Sequence, residues 1–189
     1  MTDTQTRRDV LVVTALAGAA AALPAQAAGP AATGHEHDWD WLVGRWSVRH
    51  RRLRGRLVGS KEWETFGGSS VHWTTMGGLG NTDDNVIEAP TGAYRAMSLR
   101  AYDPKMDRWG IWWLDSRYPD RVEPPVFGGF RDGVGQFEGD DMLREKPIRV
   151  RFVWSRITPA SARWEQAFSP DGGRTWETNW EMDFTRVAR

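Results

Sequence analysis

The residues best suited to chemistry in this chain are histidines and carboxylates, because it has no cysteine. That lack excludes thiol nucleophiles, thiolate metal sites and disulfides. His50 and His72 occur in runs of alternating apolar residues, where either could serve as a general base or an axial haem ligand. The simpler interpretation of each is a hydrogen-bonded or surface histidine. His35 and His37 flank Glu36 and could hold Cu(II), Ni(II) or Zn(II), but two histidines form an incomplete metal shell.

The carboxylates form no pair whose spacing alone implies acid–base catalysis. Glu62 and Glu64 flank Trp63 and are expected to face away from it. The sequence also has no nucleophile elbow, and the glycine-rich run 77–80 lacks the helix and lysine of a phosphate-binding loop. The sequence therefore assigns no catalytic residue, and we expect binding rather than catalysis.

Tryptophan is the most informative residue type, with twelve in the chain. Fully burying one removes on the order of 150–250 Å² from water, roughly 4–6 kcal/mol. So many indoles must pack a core, line a cavity, or do both. Eight residues are predicted to form this core or pocket, with Gln166 and His50 as orienting polar groups: Trp63, Trp73, Trp113, Trp154, Trp164, Trp180, Gln166 and His50.

The elements that must position these side chains are strands. Beyond residue 38 no apolar period of about 3.6 residues lasts for a helix, whereas short runs of period 2 recur between Gly, Pro, Asp and Asn. Residues 62–66 and 71–76 are interpreted as separate strands around a Gly-Gly-Ser-Ser break. Short links favour antiparallel neighbours, and a long meander removes its edges by closing. We predict an all-β fold, a single up-and-down barrel of about ten strands wide enough for a small ligand, with a two-sheet β-sandwich as the alternative.

One turn carries a recognisable motif. Residues 169–176 fit the pattern Ser-x-Asp-x-Gly-x-Thr-Trp, the Asp-box of propeller proteins. Asp171 can accept hydrogen bonds from amides of its own turn, and the glycines permit positive φ. The motif occurs once with no repeat around it, which excludes a propeller. It predicts a structural clamp on a hairpin.

Two sets of residues resemble known families. Gly44-Arg45-Trp46 has the Gly-x-Trp form that begins the first strand of lipocalins. The chain from 38 to 187 resembles a bacterial domain-of-unknown-function family with a lipocalin-like (calycin-type) barrel. The resemblance implies the barrel and brings no activity or catalytic residues. The segments that carry it are 164–168, 176–180, 182–186, 45–46, 62–64, 99–100, 109, 112–117 and 137–141.

The N-terminal residues predict export. Arg7-Arg8 precedes a weakly apolar run from Val10 to Leu23 and an Ala25-Gln26-Ala27 cleavage pattern, as in a twin-arginine signal peptide. An ordinary secretory signal is the alternative. The run is too short for a transmembrane helix, and no cysteine follows it for a lipid anchor. We predict a signal peptide (1–27), a flexible mature N-terminus (28–37) and a barrel domain (38–189), exported by the twin-arginine machinery to the periplasm or beyond.

The expected function is binding of a small apolar or aromatic molecule. Lysine plus arginine and aspartate plus glutamate both number 25, so no net field attracts nucleic acid or anionic lipid. A lumenal isomerase, cyclase or hydrolase, a haem or metal carrier, and a scaffold for envelope proteins remain alternatives. The sequence names no cofactor and no ligand.

Overall fold

The computed structural model describes residues 34–188, which form a closed barrel of ten antiparallel strands. Each strand pairs with its neighbours in sequence, and β1 (Gly44–Leu53) pairs with β10 (Glu177–Arg186) to close the barrel. The predicted up-and-down barrel is confirmed, and the sandwich alternative is wrong. The predicted signal peptide lies outside the described residues. Within residues 34–188 no helix is long and apolar enough to cross a bilayer.

The remaining strands follow one another around the barrel. They are β2 (Trp63–Thr75), β3 (Gly80–Ala89), β4 (Gly92–Asp103), β5 (Arg108–Asp115), β6 (Val126–Arg131), β7 (Val134–Leu143), β8 (Lys146–Ser155) and β9 (Ser161–Ser169). Short 3-10 turns lie at His35–His37, Asp40–Leu42 and Met76–Gly78.

Alternation along each strand decides which side chains face inward. On β1, Trp46, Val48 and His50 are buried, whereas Ser47 and Arg49 between them are exposed. The same alternation holds in the neighbours because the register places Val48 opposite Phe184 of β10 and Gly68 of β2. A shift of one residue would turn the whole apolar set toward water.

The structure corrects the sequence interpretation of β2. The Gly-Gly-Ser-Ser run is not a break, because β2 continues through it as one strand of 13 residues. A Cβ at Gly68 would lie 2.5 Å from the carbonyl oxygen of Val86 and 2.8 Å from Nε2 of His50. Close packing inside the barrel, and not a turn, therefore requires this glycine.

The N-terminal segment plugs one end of the barrel. Trp39 is 2% exposed and packs within 5.0–6.3 Å, between ring centroids, of Trp109, Phe130, Phe137 and Trp154. The indole N–H of Trp109 donates to the carbonyl of His35 at 2.9 Å, so the described part of the predicted flexible segment is a turn bonded to the barrel. This plug leaves the opposite end as the mouth.

The Asp-box turn joins β9 to β10 at the mouth. A carboxylate oxygen of Asp171 accepts from the backbone N–H groups of Arg174 and Thr175 at 3.0 and 2.9 Å, and the Thr175 hydroxyl donates to the other at 2.6 Å. These hydrogen bonds hold the pKa of Asp171 well below its usual value. The indole of Trp176 closes the turn by donating to the carbonyl of Gly173. The motif is the predicted hairpin clamp.

Candidate functional site

The barrel encloses a cavity of about 240 Å³ between two unlike walls. We call the inward side chains of β2 to β4 the polar wall: His72, Asp83, Asn85, Ser98 and Arg100. We call the inward rings of β8 to β10 the aromatic wall: Phe152, Trp154, Trp164, Phe168, Trp180 and Phe184. Ile111 and Trp113 of β5 lie between the two.

A buried ion pair is the centre of the polar wall. The carboxylate of Asp83 accepts from Nη2 of Arg100 at 2.8 Å, from the amide N–H of Ser98 at 2.7 Å and from Nδ2 of Asn85 at 2.5 Å. Nη1 of Arg100 donates to Oδ1 of Asn81 at 3.0 Å. Both charged residues are at most 3% exposed, so these hydrogen bonds must replace the ones that the two charges make with water in the unfolded chain.

His72 adjoins this pair and is neutral. Its Nε2 lies 2.7 Å from the hydroxyl oxygen of Ser70, and its Nδ1 lies 3.6 Å from the Asp83 carboxylate and has no hydrogen-bond partner in the described chain. Burial lowers the pKa of His72 to about 3, although Asp83 acts in the opposite direction. The site thus contains a neutral imidazole with one unbonded ring nitrogen at ordinary pH.

Two groups of rings in mutual contact make up most of the aromatic wall. Trp164 meets Trp180 edge to face at 5.7 Å between centroids and meets Phe152 at 5.0 Å. Trp154 and Phe184 form the second group, with 5.1 Å between their ring centroids. Within the aromatic wall, Nε2 of Gln166 donates to Oδ1 of Asn179 at 2.8 Å. Such a surface can contact a planar apolar molecule over a large area.

The predicted site residues separate into three groups. Five line the cavity: Trp113, Trp154, Trp164, Trp180 and Gln166. Trp63 and Trp73 do not line it. Inward positions of β2 are even-numbered, so both indoles face outward; Trp73 is 44% exposed, and the Arg51 guanidinium covers Trp63 at 3.9 Å.

His50 is buried beside the aromatic wall, but it is not part of the cavity lining. Its Nδ1 accepts from the indole N–H of Trp180 at 3.2 Å, and its ring stacks on Phe66 at 4.9 Å. Burial lowers the pKa of His50 to about 4, so it too is neutral at ordinary pH.

Sequence reasoning missed Asp83 and Arg100. The signal was present in β3, where Asn81, Asp83 and Asn85 alternate with period 2. That alternation is polar, and a polar stripe normally faces water. Only the register, which sets Asp83 opposite His72 and Asn81 opposite Arg100, brings the stripe inside.

The N-terminal histidines are bound to nearby carboxylates. Nδ1 of His35 lies 3.2 Å from Asp38, and Nδ1 of His37 lies 3.0 Å from Asp40. Among residues 34–188 no three His, Asp or Glu side chains are grouped so that they could hold a metal ion.

The comparisons with known proteins support the architecture. No family model and no curated protein matches the chain. Among solved structures, the S-type phycobiliprotein lyase CPES from Guillardia theta aligns with a TM-score of 0.53 and 10% identity, over 82% of this chain and 93% of that one. At this identity the likeness shows a shared fold alone. It agrees with the lipocalin-like, calycin-type barrel expected from the sequence.

Proposed function

We propose that this barrel binds a small, largely apolar or aromatic molecule in its cavity. The observation that carries the proposal is the cavity itself, about 240 Å³ with an aromatic wall facing a polar one. Ligand sites typically combine extensive apolar lining with a few fixed polar groups. The structural likeness to a phycobiliprotein lyase supports the proposal through the fold alone.

The two walls would contact different parts of the ligand. Trp113, Trp164 and Trp180 supply rigid apolar area with few rotatable bonds. His72 supplies a neutral imidazole that a hydroxyl, carbonyl or ring nitrogen of the ligand can meet. A planar molecule with one polar group fits this division.

The test is ligand binding by the exported protein. Native mass spectrometry should detect a co-purified small molecule, and tryptophan emission should be quenched by a naphthalene-type probe. Trp113→Ala should weaken probe binding about tenfold, the ratio for ~1.4 kcal/mol. Trp112→Ala is the matched control, because Trp112 packs against Phe127 and is not among the cavity-lining residues. Equal loss in both variants, or no probe binding, would contradict the proposal.

The proposed place of action is the periplasm or the outside of the cell. Arg7-Arg8 before the apolar run supports twin-arginine export. Replacing both arginines by lysine should leave the protein in the cytoplasm, as measured by cell fractionation. Unchanged export would contradict the twin-arginine route and favour the ordinary secretory signal.

A lumenal enzyme is a second candidate, favoured by the sequence of hydroxyl, imidazole and carboxylate in Ser70, His72 and Asp83. The distance of 3.6 Å from His72 to Asp83 exceeds a hydrogen bond. Ser70 is 1% exposed and is not in the cavity lining, so its hydroxyl is screened from a bound molecule. Binding therefore has better support than catalysis. Turnover of the co-purified molecule that is abolished by His72→Gln would favour the enzyme instead.

A further inference from the structure

A second depression adjoins the cavity at the mouth and is strongly basic. It shares Arg52, Arg56, Arg117 and Leu143 with the cavity lining. We call this depression the basic vestibule. Its charged side chains are five arginines against one carboxylate: Arg52, Arg54, Arg56, Arg117, Arg144 and Glu64.

Three of these arginines are neutralised by neighbours. Nη2 of Arg52 lies 2.8 Å from Glu64, and Nη2 of Arg117 lies 2.5 Å from Asp115. The exposed Arg54 lies 3.9 Å from Glu62. Each of these three arginines therefore has a carboxylate within 4.0 Å.

Arg56 and Arg144 are different. Neither has an ion-pair partner within 4.0 Å in the described chain, and Nη1 of Arg144 donates to the backbone carbonyl of Arg56 at 3.4 Å. The guanidinium carbon of Arg56 lies 5.6 Å from the ring centroid of Phe168 and 5.9 Å from that of Trp180. One unpaired cation is therefore held at the edge of the aromatic wall, with a second beside it.

The position of Arg56 is electrostatically costly. Burial, reinforced by the nearby charge of Arg52, lowers the pKa of its guanidinium from the ordinary value. A bound anion would offset both effects. The charge of Glu123 acts in the opposite direction on Arg56, but Glu123 makes no ion pair with it within 4.0 Å in the described chain. Glu123, Asp140 and Asp141 line the cavity and not the vestibule, where the arginines outnumber the one carboxylate, so the vestibule favours negative charge.

We propose that the basic vestibule holds the carboxylate of the ligand, with Arg56 as its main contact and Arg144 as a second, while the apolar body lies against the aromatic wall. This assignment rests on the proposed function and narrows the ligand to an aromatic carboxylic acid. The planar guanidinium matches a carboxylate with two parallel hydrogen bonds. Arg144 is exposed, so this second contact can be reached from solvent.

The test compares two probes of one shape, 2-naphthoate and the neutral 2-naphthamide, by isothermal titration calorimetry on the mature protein. We expect naphthoate to bind about tenfold tighter or more at low salt, as for a charge-assisted contact, and the margin to shrink as salt rises. Arg56→Gln should remove most of this preference, because it should weaken naphthoate binding far more than naphthamide binding. Arg49→Gln, an exposed change on the outer side of β1, is the control of equal charge.

The outcomes separate this assignment from the proposed function. If naphthamide binds and naphthoate binds no tighter, the vestibule assignment fails and the cavity proposal stands. If neither binds, both fail. Equal loss of both probes in Arg56→Gln would make Arg56 a structural residue. Arg144→Gln, at an exposed turn, must then still reduce the preference for naphthoate, and an unchanged preference would overturn the assignment. Much tighter binding of 2-naphthyl phosphate would replace the carboxylate by a phosphate ester.

Discussion

The polar and aromatic walls of the cavity are stabilised in different ways. The aromatic wall relies on contact area, so each ring contributes through many weak contacts and no single geometry is essential. The polar wall relies on a network in which the Arg100 guanidinium donates to Asp83 and to Asn81. Removing one member of such a network leaves the others buried without partners. Changes on the aromatic side should therefore be graded by size, and changes on the polar side by whether the network stays complete.

The largest effect is expected on the aromatic side. Trp154 is 2% exposed and packs against Trp39 and Phe184, so Trp154→Ala should lower the free energy of unfolding by up to about 5 kcal/mol. Trp154→Phe should cost clearly less, because the wall responds to volume. Urea unfolding measures both. Trp73→Ala, on the outer surface, is the control, and an equal loss there would remove the distinction between inner and outer indoles.

The polar wall should be destabilised by the exchange of a single side-chain atom. Asp83→Asn keeps the shape but removes the charge that balances Arg100, and should cost about 3 kcal/mol. The joint replacement Asp83→Leu with Arg100→Met should cost less, because it removes both charges. Asp84→Asn, which loses an exposed pair with Arg95, should change unfolding by less than about 1 kcal/mol. If the joint variant loses the most unfolding free energy of the three, the polar wall does not act as a network.

Acid should act on both walls through their histidines. The pKa values of His72 and His50, about 3 and about 4, lie below the ordinary 6.5. Below pH 6.5 the unfolded chain therefore binds protons that the folded chain does not, and the free energy of unfolding falls as pH is lowered. From pH 7 to pH 5 the loss should be at most about 2 kcal/mol per histidine.

Urea midpoints at the two pH values measure this loss. His50→Gln should flatten the dependence, whereas His37→Gln, whose side chain is 69% exposed, should leave it unchanged. The same slope in all three proteins would assign the acid sensitivity to other groups.

The smallest effect is expected at the amide pair of Gln166 and Asn179, which lies within the aromatic wall. Gln166→Leu keeps apolar volume but leaves the buried Asn179 without its donor, at a cost of about 1 kcal/mol. Gln166→Glu offers no N–H to that oxygen and should cost more. Thermal unfolding distinguishes the two; a stabilising Gln166→Leu would mean that this wall tolerates apolar replacement everywhere.

The sequence predicts the architecture well because period-2 runs and short links leave few topologies. It does not predict which face of β2 is inside. If the segment is interpreted as two strands around Gly67 and Gly68, the sequence does not fix which alternate side chains face inward, and residue type alone places its tryptophans in the pocket. In the intact strand, Trp63 and Trp73 share the outward parity.

The polar wall is harder to predict for a related reason. Charged residues normally avoid the interior, so Asp83 and Arg100 are assigned to solvent unless their pairing is known. That pairing depends on the register across β2, β3 and β4, which the composition of one strand does not reveal. The predictable part of the site is its apolar half.

The N-terminal plug has one more consequence. Residues 35–42 close the barrel at the end opposite the mouth, and the guanidinium carbon of Arg100 lies 4.8 Å from the ring centroid of Trp39. Proteolytic trimming to residue 43 would remove Trp39 and expose to solvent the Arg100 and Trp154 side chains that pack against it. The retention time of any guest would then depend on a stretch of chain far from the entrance through which that guest arrives.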